Sequence, residues 1–266
     1  MLRKGIALAA LGLAFLAAPA LANTNALPPK EAHWSDSGPF GKFDQAQLQR
    51  GYKVYREVCS ACHSMNLMYF RNLGQPGGPF YEEKYKNPND NPYVKSIAKD
   101  YQVDDIDSET GDVVKRAATS ADAFPAPFPN EAAARASNGG ALPPDLSVII
   151  KAREEGQEYV YSILTGFGAA PPAGLKIEAG KYYNPYFPGG VIGMTPPLAA
   201  DKVTFDDGTK STVDQQAKDV VAFLTWASDP KAQERKQFGL GAMIYLLIFS
   251  GLLYASYRRI WRNVAH

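Results

Sequence analysis

Residues 44–63 read DQAQLQRGYKVYREVCSACH, and the rest of the chain is best understood outward from them. Asp44 with Gln47 three residues on makes a capping-box start, and Leu48, Tyr52, Tyr55 and Cys59 then recur at helical spacing up to His63. The chain has only two cysteines, and both lie in Cys59-Ser60-Ala61-Cys62-His63. Two thiols three residues apart sit about one helical turn from each other, the spacing needed to add across both vinyl groups of a haem. The adjoining imidazole is then directed at the iron from one face. Three other readings compete: a thioredoxin-like redox pair, half of a zinc site, and a structural disulfide. Zinc lacks its remaining ligands, because only His33 and His266 are left and there is no further Cys. A redox pair calls for a βαβ context, whereas this region reads as helix.

Around that motif the sequence predicts a few helices joined by long loops. Asp145–Gly156 and Glu158–Leu164 read as short helices. Asp214 is the expected N-cap of a helix over Gln215–Ala227, which Asp229-Pro230 ends. Residues 76–92, 124–130 and 166–197 are rich in Gly, Pro, Asn and Tyr and read as turns. Such a chain makes a sound core if a large apolar cofactor supplies the centre. Elimination narrows the second axial ligand. Met1 goes with the leader, Met243 lies in an apolar run, and Met65 and Met68 follow His63 too closely to pass round a macrocycle. Met194 and His33 remain. Met194 sits in GGVIGMTPP, a flexible approach with a rigid stop; core filler is the bland alternative. Gly51, four residues before Tyr55, either permits a close helix crossing with the segment bearing Val220 and Phe223 or is a tolerated mid-helix glycine.

Both ends stand apart from the globular part. Residues 1–22 carry Arg3 and Lys4, an uncharged run and Ala20-Leu21-Ala22, the pattern of a cleaved signal peptide. Residues 23–230 are then expected as the exported domain and 231–237 as a juxtamembrane segment. Residues 238–257 form an uncharged 20-residue transmembrane helix, and 258–266 a tail on the inner side. Of the 28 Lys+Arg, eight fall before residue 23 or after Pro230, while of the 27 Asp+Glu only Glu234 does, so residues 23–230 carry a formal charge of −6. That balance disfavours nucleic acid and suits a cationic protein partner.

Four islands carry a family resemblance: Phe40–Met65, Asn130–Asp145 with its GGALPPDLS ending, Tyr183–Pro197 (YNPYFPGGVIGMTPP) and Phe205–Ala227. In this order they closely resemble the cytochrome c1 family, the haem c subunits of cytochrome bc1 complexes. The resemblance implies a mainly α, class I cytochrome c-like haem domain with long loops and one C-terminal transmembrane helix. It implies haem c attached at Cys59 and Cys62, with His63 and Met194 as axial ligands. It also implies that Gly51 and Tyr55 cross the Val220–Phe223 helix. Asn138, Pro143, Pro144, Arg153 and Tyr159 match positions around the haem, Arg153 as the partner of a propionate. The implied role is transfer of single electrons from a Rieske iron–sulfur protein to a soluble cytochrome c, beside cytochrome b and in contact with membrane lipid. The chain by itself is then an electron-transfer subunit of a quinol–cytochrome c oxidoreductase in a respiratory or photosynthetic chain. A signal peptide of bacterial type places it in a bacterial inner membrane with the haem domain in the periplasm. The segment Asp100, Asp104, Asp105, Asp107, Glu109, Asp112 reads either as a steering surface for a cationic acceptor or as a solvated loop. Residues 76–123 and 168–180 match the family only loosely, so no partner contacts carry over there. With no further cysteine pair, the loop before Met194 is held by packing. Other functional classes are a tethered carrier for an oxidase or reductase outside a bc1 complex, a haem peroxidase with an open iron site, and a purely structural membrane subunit.

Overall fold

A computed structural model describes residues 26–263; the expected signal peptide, 1–22, and the last tail residues, 264–266, lie outside the described residues. Six α-helices and two small antiparallel ribbons are joined by long loops, the mainly α architecture expected. Helix α1 spans Gln45–Val54, and the Ala46 and Gln47 amides donate to Asp44 Oδ1 at 2.9 and 3.4 Å. It does not run on as α-helix to His63. Residues Tyr55–Cys59 form one π turn instead, with the Ser60 amide donating to the Tyr55 carbonyl at 2.9 Å. The Ser60 hydroxyl takes the Arg56 carbonyl at 2.7 Å, which satisfies the acceptor that a regular α turn would have given to its own amide.

Helix α5, Val213–Ser228, packs across α1. Its cap is Thr212, whose hydroxyl accepts from the Gln215 amide at 3.1 Å, and not Asp214. Asp214 lies inside the helix, where it accepts from Tyr161 and Lys218. At the crossing a Cβ on Gly51 would sit 2.0 Å from the Asp219 carbonyl oxygen and 2.7 Å from Phe223 Cβ. The glycine is therefore a contact surface and not a tolerated gap. Beside it Tyr52 meets Phe223 edge to face at 5.7 Å, and Tyr55 lies 5.9 Å from the same ring. Arg50 binds the fully buried Asp219 through Nε at 2.8 Å and reaches Asp207 at 2.6 Å, so the charge that α5 buries is paired.

Residues 147–155 are turns and one bend, and 145–146 are irregular, where a helix over Asp145–Gly156 was expected. Asp145 accepts from Ser64 Oγ and from the Asn66 and Ser147 amides, each at 2.8 Å, and the Leu146 amide donates to the Ser64 carbonyl. Those bonds tie the segment to residues 64–66 and compete with its own helical turn. Helix α4, Gly156–Thr165, then extends the expected Glu158–Leu164 helix. Two further helices begin where stretches rich in turn formers end: α2, Pro92–Lys99, behind the Asn91 cap, and α3, Glu131–Ser137, behind the Asn130 cap. Strands β1, Gln102–Ile106, and β2, Val113–Ala117, pair as a hairpin, and β3, Tyr182–Tyr183, pairs with β4, Val191–Ile192.

Helix α6, Ala232–Trp261, is long and apolar enough to cross a membrane. Its 30 residues reach about 45 Å, more than a bilayer core of about 30 Å. Its first turn is held to the globular part by Asp229, which accepts from both Lys151 and Arg235 at 2.9 Å. The two cations hold the Asp229 carboxyl down at about 2, against its ordinary 3.8. A carboxylate whose folded pKa is depressed stabilises the fold above its unfolded value and loses that contribution as pH falls through the folded one. Asp229→Asn is accordingly expected to flatten the acid limb of stability between pH 3.8 and about 2. Urea midpoints of parent and variant, measured across that range, check it.

Candidate functional site

Cys59 and Cys62 are both free thiols on the single turn that leaves the π segment. The Cys62 and His63 amides both donate to the Cys59 carbonyl, at 3.1 and 2.9 Å, so the two sulfurs and the imidazole are presented by one compact turn. Cys62 is exposed and Cys59 is half-buried. Burial pushes the Cys59 thiol up to about 12, a nearby Lys202 offsetting only part of it. Reactive dithiols run the other way, toward low pKa, so a thioredoxin-like redox pair is disfavoured. Among the described residues no group of three or more His, Cys, Asp and Glu side chains is arranged to hold a metal ion.

His63 is oriented through its second nitrogen: Nδ1 lies 2.8 Å from the Pro144 carbonyl oxygen. With Nδ1 carrying the proton toward that carbonyl, Nε2 is left with its lone pair for a metal. Burial also holds the His63 pKa below its ordinary value, favouring the neutral ring that a metal requires. The Pro144 contact therefore explains why a proline-rich segment 81 residues away serves the CxxCH turn.

Met194 is half-buried on the loop after β4. A Cβ on Gly193 would lie 3.1 Å from Ala141 Cβ, which seats this loop against the segment carrying Asn138, Pro143 and Pro144. The same loop is fastened near the cysteines, because Lys202 Nζ donates to the Pro197 carbonyl at 2.7 Å and is the charge felt by Cys59. Asn138 closes α3, its amide donating to the Ala134 carbonyl at 2.7 Å, and Pro143 is half-buried. Arg153 is exposed and its guanidinium donates to the Ala152 carbonyl at 2.9 Å, while its charge partly offsets the rise that burial gives the Tyr159 hydroxyl. His33 is exposed on the segment that precedes α1. Met65 and Met68, at 0% and 2% exposure, are core side chains.

Sequence reasoning did not single out every apolar residue packed into the core with Cys59. Val58, Ile150, Val160, Leu164 and Leu198 are apolar, only partly buried, and packed against the same core as Cys59. Val160 and Leu164, spaced i and i+4 on α4, were detectable as a helical stripe; Lys202 had no signal. Two free thiols on one turn, an imidazole with one nitrogen committed, and apolar side chains packed into the same core as Cys59 together fit a haem.

A sequence profile of the Cytochrome C1 family matches residues 34–264. The chain is 44% identical to "Cytochrome b/c1" of Bradyrhizobium diazoefficiens over 97% of its own length but only 39% of that protein's. Identity to "Cytochrome c1, heme protein, mitochondrial" of Saccharomyces cerevisiae is 47%, covering 80% of this chain and 65% of the yeast protein. Identity to "Cytochrome c1" of Rhodospirillum rubrum is 40%, covering 98% and 97%. The chain thus spans about two-fifths and just under two-thirds of the first two relatives and nearly all of the third. With a family match over residues 34–264 and 40% identity to a relative covered over 97% of its length, this chain belongs to the cytochrome c1 family.

Proposed function

We propose that this chain receives single electrons from a Rieske iron–sulfur protein and passes them to a soluble cytochrome c, as the c1 subunit of a bc1 complex. Helix α6 is its anchor in a bacterial inner membrane, and the domain of residues 23–230 stands in the periplasm behind a cleaved leader, residues 1–22. The observation that carries the reading is the CxxCH turn with His63 oriented by the Pro144 carbonyl, inside a chain of this family.

Haem c, the family's cofactor, supplies one-electron redox chemistry when bound. Cys59 and Cys62 would hold it covalently, His63 and Met194 would hold its iron, and Asn138, Pro143, Pro144, Arg153 and Tyr159 would border it. The Pro144 carbonyl fixes the imidazole tautomer and ring angle. Val58, Ile150, Val160, Leu164 and Leu198, apolar and packed against the same core as Cys59, would help keep water from the group, which favours the less charged redox state. The exposed Arg153 guanidinium and the half-buried Tyr159 hydroxyl would offer donors to a propionate. With its iron held by both His63 and Met194, the group would supply electron transfer and would leave no site for oxygen activation of the peroxidase kind. A redox-difference spectrum of purified membranes, with identification of co-purifying subunits, tests the reading. Isolation of the pigment without cytochrome b and a Rieske protein favours the tethered carrier instead.

The acidic segment is reshaped by the hairpin. Asp104 pairs with Lys115 and Asp105 with Arg116 across β1 and β2, and Asp100 pairs with Arg56. Asp107 caps the turn by accepting from the Glu109 and Thr110 amides. Glu109 and Asp112 are exposed beside it without a basic partner among the described residues, so any steering charge is concentrated at the hairpin tip. Glu109→Gln with Asp112→Asn is expected to slow reduction of a cationic cytochrome c by about two- to threefold at low salt and not at high salt. Stopped-flow rates at two ionic strengths check this.

A further inference from the structure

Phe40 is 74% exposed, and no large apolar side chain among the described residues is more so. Those that approach it, Phe238 at 73% and Leu247 at 72%, belong to α6, where lipid is the expected solvent. Phe43, three residues on, packs against the core, so the outward placement of Phe40 comes from the loop and not from a generally exposed segment. That loop closes on itself. The Lys42 amide donates to the Ser35 carbonyl at 2.9 Å and the Ser37 amide to the Trp34 carbonyl at 3.2 Å. A Cβ on Gly41 would come within 2.2 Å of the Ser37 oxygen, whereas one on Gly38, at φ +74°, would meet nothing within 4 Å. The base is tight and the Gly38-Pro39-Phe40 tip is open. Trp34, at 4% exposure, fixes the base to α4 by donating to Glu158 at 2.9 Å.

The position of this loop relative to α6 is set by one bond. Lys236 Nζ donates to the Asp36 carbonyl at 2.6 Å. Lys236 precedes Phe238, the start of the apolar run, by two residues, about 3 Å along the helix axis. Phe40 is four residues from Asp36, and Lys42 beside it is exposed. An aromatic tip with a flanking cation, tied to the root of an apolar helix, has the composition of a membrane-interface anchor.

We propose that the loop of residues 35–42 is a second membrane contact, with Phe40 seated at the headgroup–acyl boundary beside the root of α6 and Lys42 facing lipid phosphate. This rests on the reading of α6 as a membrane anchor. The contact would hold the haem domain at a fixed tilt on the bilayer, where a single helix alone would let it rotate.

The test uses the full chain, with its haem attached so that Cys59 and Cys62 are occupied, in nanodiscs of phosphatidylcholine and phosphatidylglycerol. Single nitroxide labels are placed by Phe40→Cys, by Ser108→Cys on the distant hairpin turn and by Leu247→Cys within α6, and power saturation is read with oxygen and with a nickel chelate. The expected result is an oxygen-to-nickel collision ratio several-fold higher at position 40 than at 108, approaching that at 247. A ratio at 40 equal to that at 108, with 247 in lipid, overturns the proposal and leaves the anchor standing. Shielding at 40 only when the other bc1 subunits are added overturns it in favour of a protein contact. A water-exposed label at 247 removes both.

Discussion

Gly51→Ala is expected to lower the melting temperature of the haem-loaded protein by about 10 °C. The added methyl would stand 2.0 Å from the Asp219 carbonyl oxygen and 2.7 Å from Phe223 Cβ. A carbonyl oxygen cannot rotate away, so α1 and α5 must separate. Their contact also carries the Tyr52–Phe223 and Tyr55–Phe223 ring pairs and the Arg50 bonds to buried Asp219. Overpacking usually costs about 1–3 kcal/mol, and backbone opposition puts this site near the upper end, about 3 kcal/mol. At roughly 2–4 °C per kcal/mol for a domain of this size, the shift is about 10 °C. Separation of the helices also strains the π turn that follows α1, so slower covalent haem incorporation should accompany the lower melt. Scanning calorimetry of purified holoprotein is the check. A melt within 2 °C of the parent, an experimental margin of about 1 kcal/mol, would mean the helices do not cross at Gly51.

The CxxCH turn and the apolar C-terminal helix were legible because each rests on local spacing: Cys59 and Cys62 are three residues apart, and residues 238–257 are uncharged. The crossing at Gly51 was left open by spacing, and only the family resemblance implied it. What failed depended on long-range competition for hydrogen bonds. Residues 145–155 carry a reasonable helix pattern, but Asp145 is drawn to Ser64 and Asn66, about 80 residues away, and no window of local sequence contains that choice. The π turn is likewise decided by where one hydroxyl, Ser60, donates. Helices α2 and α3 were hidden by their own caps. Asn91-Pro92 and Asn130 punctuate sequence in the same way as turn residues do, and only the following residues separate a helix start from a loop. The hairpin of β1 and β2 was missed because its strands are short and both faces are mostly polar, so no alternation marks them. At the site, the candidate ligands His63 and Met194 came from chemistry and resemblance. The Pro144 carbonyl that orients His63 is a backbone atom, which residue identity does not reveal.

Met194→Leu is expected to lower the reduction potential by about 0.2 V, a quarter of the roughly 0.8 V span that axial ligands command. Leucine fills nearly the same volume as methionine, so the half-buried position should keep its packing and the fold should survive. What is lost is a sulfur lone pair that favours the reduced metal. His63 stays in place because its orientation comes from Pro144 and not from the opposite face. The variant should therefore bind carbon monoxide when reduced, and lose the red Met-to-iron charge-transfer band when oxidised, while its melt stays close to the parent's. His33→Gln supplies the contrast. His33 is exposed, whereas the loop bearing Met194 is fastened to the 138–144 segment through Gly193 and near Cys59 through Lys202. That variant should leave potential, band and ligand binding unchanged. If Met194→Leu titrates like the parent while His33→Gln shifts the potential, the second axial ligand is the imidazole and the loop of residues 189–197 is only a wall. The two outcomes also separate the electron carrier from a peroxidase. Only a site closed by a protein ligand gains carbon monoxide binding when that ligand is cut away, whereas one already open would bind it in both forms.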